Sequence, residues 1–168
     1  MMEITYDRDK AVKYANEWAL KRNRKFFDFE LFGGDCSNFV SQSIFAGAGM
    51  MNYTKTFGWY YISSYDRSPS WTGVQYLYDF LTKNKSDGPY AVETDISNLE
   101  IGDIVQLGDS DMKFYHSLFI TKIDGVPSID TIYVSTHSID VKDQKLSSYV
   151  FENVRGIKIL GVRKFKKG

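Results

Sequence analysis

Hydrophobic residues in the first half of the chain recur at helical spacing. A first helix is predicted behind Asp7, a residue type that caps helix N-termini. Its apolar stripe consists of Ala11, Val12, Tyr14, Ala15, Trp18 and Ala19. A second helix is predicted from Cys36 to the stop signal Gly47-Ala48-Gly49, and a third behind Ser70 as its cap. The apolar positions of these two are Phe39, Val40, Ile44 and Phe45, and then Trp71, Val74, Leu77, Tyr78 and Leu81.

The second half of the chain has the patterns of β-strands. Residues 50–70 are aromatic and irregular, and residues 84–89 are predicted to form a loop. Strands are then predicted within 99–107, 116–123, 131–137 and 157–165, the last interrupted by Gly161. Helices first and strands second are typical of an α+β domain with an antiparallel sheet. The length fits a single domain over residues 1–168.

Composition excludes several classes of function. The 21 basic residues equal the 21 acidic ones in number, so the charge gives no support to nucleic-acid binding. One cysteine and two histidines form no zinc motif, and we expect neither a metal nor a cofactor. No apolar run approaches a membrane span, and the start of the chain is not a signal peptide. A cytoplasmic location is therefore expected for the chain as given, and a cell-wall or extracellular one for a domain excised from an exported protein.

Cys36, the only cysteine, is predicted to lie on the first turn of a buried helix. The free N–H groups and the helix dipole at that position favour a thiolate. We therefore expect Cys36 to be partly exposed in a groove and its pKa to be depressed. The neighbouring Asp35 opposes thiolate formation, and its carboxylate is expected to turn toward backbone donors instead. The structural alternative for Cys36 is that of a small buried hydrophobe.

Two histidines complete a candidate catalytic group. Thiol hydrolysis needs a base for the nucleophile and a third group that orients the base. His116 starts a predicted strand and is the candidate base. His137 lies on the next strand, and its ring is expected within hydrogen-bond reach of His116. Either histidine could instead have a purely structural role.

Several motifs resemble the papain-like cell-wall hydrolases, which include NlpC-type and CHAP peptidases and amidases. The phrase Asp35-Cys36-Ser37-Asn38-Phe39-Val40-Ser41-Gln42 is more specifically similar to the bacterial putative amidase domain of that superfamily. Other matching segments are Trp18-Ala19, Asn23, Trp71, Gly102-Asp103-Ile104-Val105-Gln106, His116-Ser117 and Ser135-Thr136-His137-Ser138 with Asp140. The resemblance extends over nearly the whole chain.

The resemblance implies a papain-like α+β fold with N-terminal helices packed on a C-terminal antiparallel sheet. It implies Cys36 as nucleophile, His116 as general base and acid, and His137 as third member, with Asp140 in reserve. The expected activity is cysteine amidase or peptidase chemistry on a peptide-like amide, with a peptidoglycan fragment as the favoured substrate. Two alternatives stay open: a non-catalytic module that binds cell-wall peptide or a partner protein, and a thioester-forming acyl transferase. The sequence predicts no oligomeric state.

Overall fold

The computed structural model describes residues 1–166, so the last two residues of the predicted domain lie outside the described part. Within it the helices are α1 (Arg8–Trp18), α2 (Cys36–Ala48), α3 (Pro69–Thr72) and α4 (Val74–Lys83). The α1 helix begins as predicted because the Asp7 carboxylate accepts a hydrogen bond from the Lys10 N–H at 3.0 Å. The α2 helix ends at Gly49, whose φ of +74° is the left-handed conformation that glycine adopts easily. Both predicted helices are confirmed.

The predicted third helix is divided in two. Gly73 has extended backbone angles and separates α3 from α4. Ser70 lies inside α3, and its hydroxyl donates to the Gly58 carbonyl at 2.6 Å, so its predicted role as the cap is wrong. Among residues 1–166, no helix is both long and apolar enough to cross a membrane.

The strands form one large sheet and one small hairpin. They are β1 (Met2–Ile4), β2 (Tyr61–Ser63), β3 (Asp66–Arg67), β4 (Gly88–Thr94), β5 (Ile104–Gly108), β6 (Phe114–Ile123), β7 (Ile132–Thr136), β8 (Val141–Lys145) and β9 (Asn153–Lys164). β2 pairs only with β3, and the others form a sheet in the order β1-β9-β5-β6-β7-β8, with β4 also on β9. The pairings are antiparallel, which confirms the α+β prediction. The sequence predicted β5, β6, β7 and β9 but not β1, β2, β3, β4 and β8.

Successive residues of the sheet contribute to two different hydrophobic clusters. Ile104 and Phe119 are cross-strand partners and belong to the cluster that includes the buried residues of the helices. Their neighbours Val105 and Leu118 belong to a second cluster with Leu146. This alternation places the helices on one face of the sheet and the segments around Leu99 and Leu146 on the other.

The α2 helix is buried along most of its length and is therefore a rigid support for its first residue. Its polar side chains are satisfied by neighbouring elements. Asn38 accepts a hydrogen bond from the Trp71 indole at 2.9 Å, and the Ser41 hydroxyl donates to the Trp71 carbonyl at 2.9 Å. On the opposite side, the Tyr14 hydroxyl of α1 donates to Gln42 at 2.5 Å. These contacts fix α2 between α1, α3 and the sheet.

Candidate active site

Cys36 is the first residue of α2, and a tight turn brings the chain to it. Gly33 and Gly34 have φ of +99° and +101°, in the region that favours glycine. A Cβ atom on Gly34 would lie 3.2 Å from the Ser138 hydroxyl oxygen, and that hydroxyl also accepts a hydrogen bond from the Asp35 N–H at 2.9 Å. The two glycines therefore allow the close approach between this turn and the segment that follows β7.

The thiol of Cys36 is more buried than predicted. Only 7% of the residue is exposed. Burial raises the pKa of the Cys36 thiol above the ordinary cysteine value, while hydrogen bonds from the Ser117 backbone and from Ser37 act in the opposite direction and the Asp35 carboxylate adds to the rise. The expected depression of this pKa is wrong, because loss of solvation outweighs the donors at the helix terminus.

His116 directly precedes Ser117 in β6, so its side chain points to the opposite face of the strand from Ser117. Its cross-strand partner is Leu107, and its half-buried ring lies 6.0 Å from the Tyr149 ring, centroid to centroid. Within residues 1–166 its imidazole forms no hydrogen bond, either to Cys36 or to another residue. Burial lowers the pKa of His116, which favours the neutral imidazole. Both ring nitrogens are thus without a protein partner.

His137 is not a partner of His116. Its Nδ1 lies 2.5 Å from Asp35 Oδ2, and its Nε2 lies 2.8 Å from the Trp18 carbonyl oxygen. The ring is 1% exposed and packs 4.4 Å from the Phe39 ring, centroid to centroid. Both ring nitrogens of His137 are therefore engaged by groups other than His116. The predicted contact between the two histidines is therefore not made, although the strands β6 and β7 are adjacent as expected.

The carboxylate of Asp35 connects several segments around the start of α2. It is completely buried, and its Oδ1 accepts hydrogen bonds from the Phe29 N–H and from the Asn38 amide, each at 2.8 Å. Its Oδ2 faces His137. The prediction that this carboxylate turns toward backbone donors is confirmed at Phe29, but the side chain does not cap α2.

Asp140, the reserve for the third catalytic position, is paired with Arg22. Two guanidinium nitrogens of Arg22 lie 2.6 and 3.1 Å from its carboxylate oxygens. The same guanidinium lies 3.2 Å from Asp28, 3.6 Å from Glu30 and 3.4 Å from Asp35. Asp140 therefore belongs to an ionic cluster behind Asp35 and does not contact His116.

The structure also reveals a chain of polar side chains that the sequence analysis missed. The Cys36 sulfur lies 4.0 Å from the Ser37 hydroxyl, which lies 2.8 Å from the Ser117 hydroxyl. Gln106 donates to Ser117 at 3.1 Å and accepts from Arg155 at 2.9 and 2.7 Å. We call Ser37, Ser117, Gln106 and Arg155 the polar chain. Two of its members directly follow Cys36 and His116 in the sequence, which is the signal that could have pointed to them.

Comparison with known proteins identifies one family. The family model described as "Putative amidase domain" matches residues 5–160. No curated protein and no solved structure shows a significant similarity to the chain.

Proposed function

The chain belongs to the putative amidase domain family, and we propose that it is a cysteine-dependent amidohydrolase with Cys36 as nucleophile and His116 as base. One observation carries the proposal. The Cys36 sulfur, at the start of a rigid buried helix, lies 4.0 Å from the Ser37 hydroxyl, which lies 2.8 Å from the hydroxyl of Ser117 on β6. The residue before Ser117 is His116, the histidine with uncommitted ring nitrogens. Its ring lies beside Tyr149 on the other face of β6, so the proposed proton transfer requires the imidazole to turn toward the sulfur. His137 is excluded as a base because both of its nitrogens are occupied.

The proposed reaction starts from a neutral pair. Burial raises the pKa of Cys36 and lowers that of His116, so both favour their uncharged forms. The imidazole of His116 takes the thiol proton as the sulfur attacks the amide carbonyl, and later gives it to the leaving amine. Water, deprotonated by the same imidazole, then hydrolyses the Cys36 thioester and regenerates the thiol. As the first residue of α2, Cys36 has a backbone N–H without an intrahelical partner, and this donor stabilises the oxyanion.

The fold supports the finer proposal of a papain-like hydrolase. A helix that starts at the nucleophile packs on an antiparallel sheet, and the candidate base lies near the start of one of its strands. In place of an orienting third residue on His116, the pair of Asp35 and His137 holds the start of the helix. We propose a peptide-like amide as substrate, with peptidoglycan peptides as the substrate class to test first.

Hydrolysis of soluble muropeptides and of generic peptide amides by the full chain tests this proposal. We expect Cys36→Ala and His116→Ala to abolish turnover, and mass spectrometry to detect an acyl adduct on Cys36 in the wild type. Ser43→Ala is the matched control, since this buried α2 serine donates only to the carbonyl of Phe39. Turnover that survives Cys36→Ala would refute the nucleophile. Binding of these peptides without turnover or adduct would favour a binding module instead.

A further inference from the structure

The buried guanidinium of Arg155 has no carboxylate partner within ion-pair distance in the described residues. It is 9% exposed and stacks between the rings of Tyr78 and Phe114, at 3.6 and 3.8 Å from their centroids. Its side-chain acceptors are neutral amide oxygens, those of Gln106 and, at 3.1 Å, of Gln75. Burying a cation with only neutral acceptors costs free energy, and this cost indicates a role for the charge of Arg155.

Arg155 fixes the orientation of Gln106. A guanidinium only donates hydrogen bonds, so the amide oxygen of Gln106 must face Arg155. The amide nitrogen then donates its two protons, one to the Val74 carbonyl at 2.9 Å and one to the Ser117 hydroxyl at 3.1 Å. Arg155, which binds the oxygen of the Gln106 amide, therefore fixes the direction of the hydrogen bond from Gln106 to Ser117.

The directions of the next two hydrogen bonds, from Ser117 to Ser37 and from Ser37 to the sulfur, follow from the same argument. The Ser117 side chain is completely buried, and its remaining proton has the Ser37 oxygen as its acceptor at 2.8 Å. A buried hydroxyl proton without an acceptor is unfavourable, so Ser117 donates and Ser37 accepts. The proton of Ser37 is then free to point at the Cys36 sulfur. The separation of 4.0 Å is the outer limit of a hydrogen bond to sulfur, and it can shorten as negative charge develops there.

We propose that the polar chain is a one-directional relay in which Arg155 orients Ser37 as a hydrogen-bond donor to the Cys36 thiolate. Ser117, Gln106 and Arg155 are positioning residues, because they act on the sulfur only through Ser37. Hydrogen bonds in series polarise one another, so the charge of Arg155 strengthens the final donor. The proposal deepens the proposed function, and rests on it only for the catalytic use of the thiolate.

Several other charged or titratable groups lie around Cys36. Asp35 directly precedes it and raises the thiol pKa, while His137 and Arg22 face that carboxylate at 2.5 and 3.4 Å. His116 is the titratable group on β6, and no hydrogen bond joins its imidazole to the sulfur within residues 1–166. The donors of the polar chain therefore act against a carboxylate and the loss of water, which together still raise the pKa of the Cys36 thiol.

The rate of thiol alkylation by iodoacetamide, measured from pH 6 to pH 10 without any substrate, tests the relay. We expect Ser37→Ala to lower the rate at neutral pH about tenfold, the effect of one pKa unit on the thiolate fraction. Arg155→Met keeps the stacking between the rings, removes the donors and should act in the same direction. Ser37→Thr keeps the hydroxyl and should restore most of the rate, and Ser43→Ala should leave it unchanged.

The double variant Ser37→Ala/Arg155→Met separates a relay from a direct effect of charge. In a relay, loss of Arg155 has no further effect once Ser37 is gone, whereas effects through space add. Additive effects, or a Ser37→Ala rate equal to that of Ser43→Ala, would overturn the proposal. Thermal melts exclude unfolding as the cause. Because no amide substrate is used, a missing amidase activity would refute the proposed function and leave this result intact.

Discussion

The most direct prediction concerns the pair of buried side chains behind the nucleophile. His137→Ala removes a 2.5 Å contact with Asp35 and a 2.8 Å contact with the Trp18 carbonyl. It leaves the Asp35 carboxylate, which is fully buried, without its nearest side-chain partner. An ionised group in that position cannot recover its solvation unless the structure opens.

The magnitude follows from the contacts that are lost and kept. Breaking a buried ion pair by removing one partner costs about 3–5 kcal/mol. Asp35 keeps hydrogen bonds from Phe29 and Asn38, and Arg22 lies 3.4 Å away, so the lower part of this range is expected. At about 2–4 °C per kcal/mol for a chain of this size, the melting temperature should fall by roughly 10 °C.

Urea unfolding measures this loss, and the other histidine supplies the matched control. His116 forms no hydrogen bond within residues 1–166 and is half-buried, so His116→Ala should cost about 1 kcal/mol or less. We expect the two variants to differ in what they lose: His137→Ala loses stability, whereas His116→Ala loses turnover. The double variant Asp35→Asn/His137→Ala should be more stable than the sum of its two single changes, because it leaves no buried charge behind.

A normal free energy of unfolding in His137→Ala, together with a large fall in kcat, would refute this reasoning. That result is expected of a residue that orients the catalytic base, and it would mean that the ring leaves Asp35 during the reaction. Additivity of the Asp35 and His137 changes would equally contradict a direct pair.

Three further predictions follow from burial and charge. Burial raises the pKa of Cys36, so the rate of iodoacetamide labelling should still be rising with pH above about pH 8.5, the ordinary cysteine value. A labelling plateau near neutral pH would contradict the neutral resting pair. Burial lowers the pKa of His116, so its contribution to stability is complete above about pH 6.5 and lost as the pH falls; urea unfolding should show His116→Ala gaining on the wild type between about pH 7 and pH 5. Arg8→Met leaves fully buried Asp103 without its 2.7 Å partner and should cost about 3–5 kcal/mol in urea unfolding. Lys83→Met, at an exposed pair with Asp79, should cost at most about 1 kcal/mol, and equal losses would contradict the burial argument.

The elements that sequence predicts well here are those whose signals are local. The α1 and α2 helices have caps and apolar stripes within a few residues, and β6 and β7 have continuous apolar runs. The missed strands β1 and β4 both pair with residues of β9 that are more than 60 positions away along the chain. These two segments form strands because they pair with a distant segment, which no local sequence pattern reveals. The break between α3 and α4 at Gly73 was also missed, because the apolar positions on both sides of it continue one helical pattern.

The error on His137 has a specific backbone cause. The register of β6 and β7 brings the two strands together as predicted, with Phe119 opposite Ser135. β7 ends at Thr136, however, and Ser138 and Ile139 both have positive φ. A residue between a strand end and such a turn does not follow the strand's alternation, so adjacency of the strands could not determine where the His137 ring points.

The polar chain shows why the rest of the site required a structure. Ser37 and Ser117 are 80 residues apart in sequence, and each looks like an ordinary small residue beside a more reactive one. They meet because the first turn of α2 lies on the face of β6 that carries Ser117, the face opposite Leu118. Gln106 and Arg155 then align because Gln106 is the cross-strand partner of both Ser117 and Arg155. A shift of one residue in either pairing would turn these side chains to the other face and disconnect Arg155 from the sulfur. The electrostatics of the thiol therefore depend on sheet register, a property that no single segment of the sequence encodes.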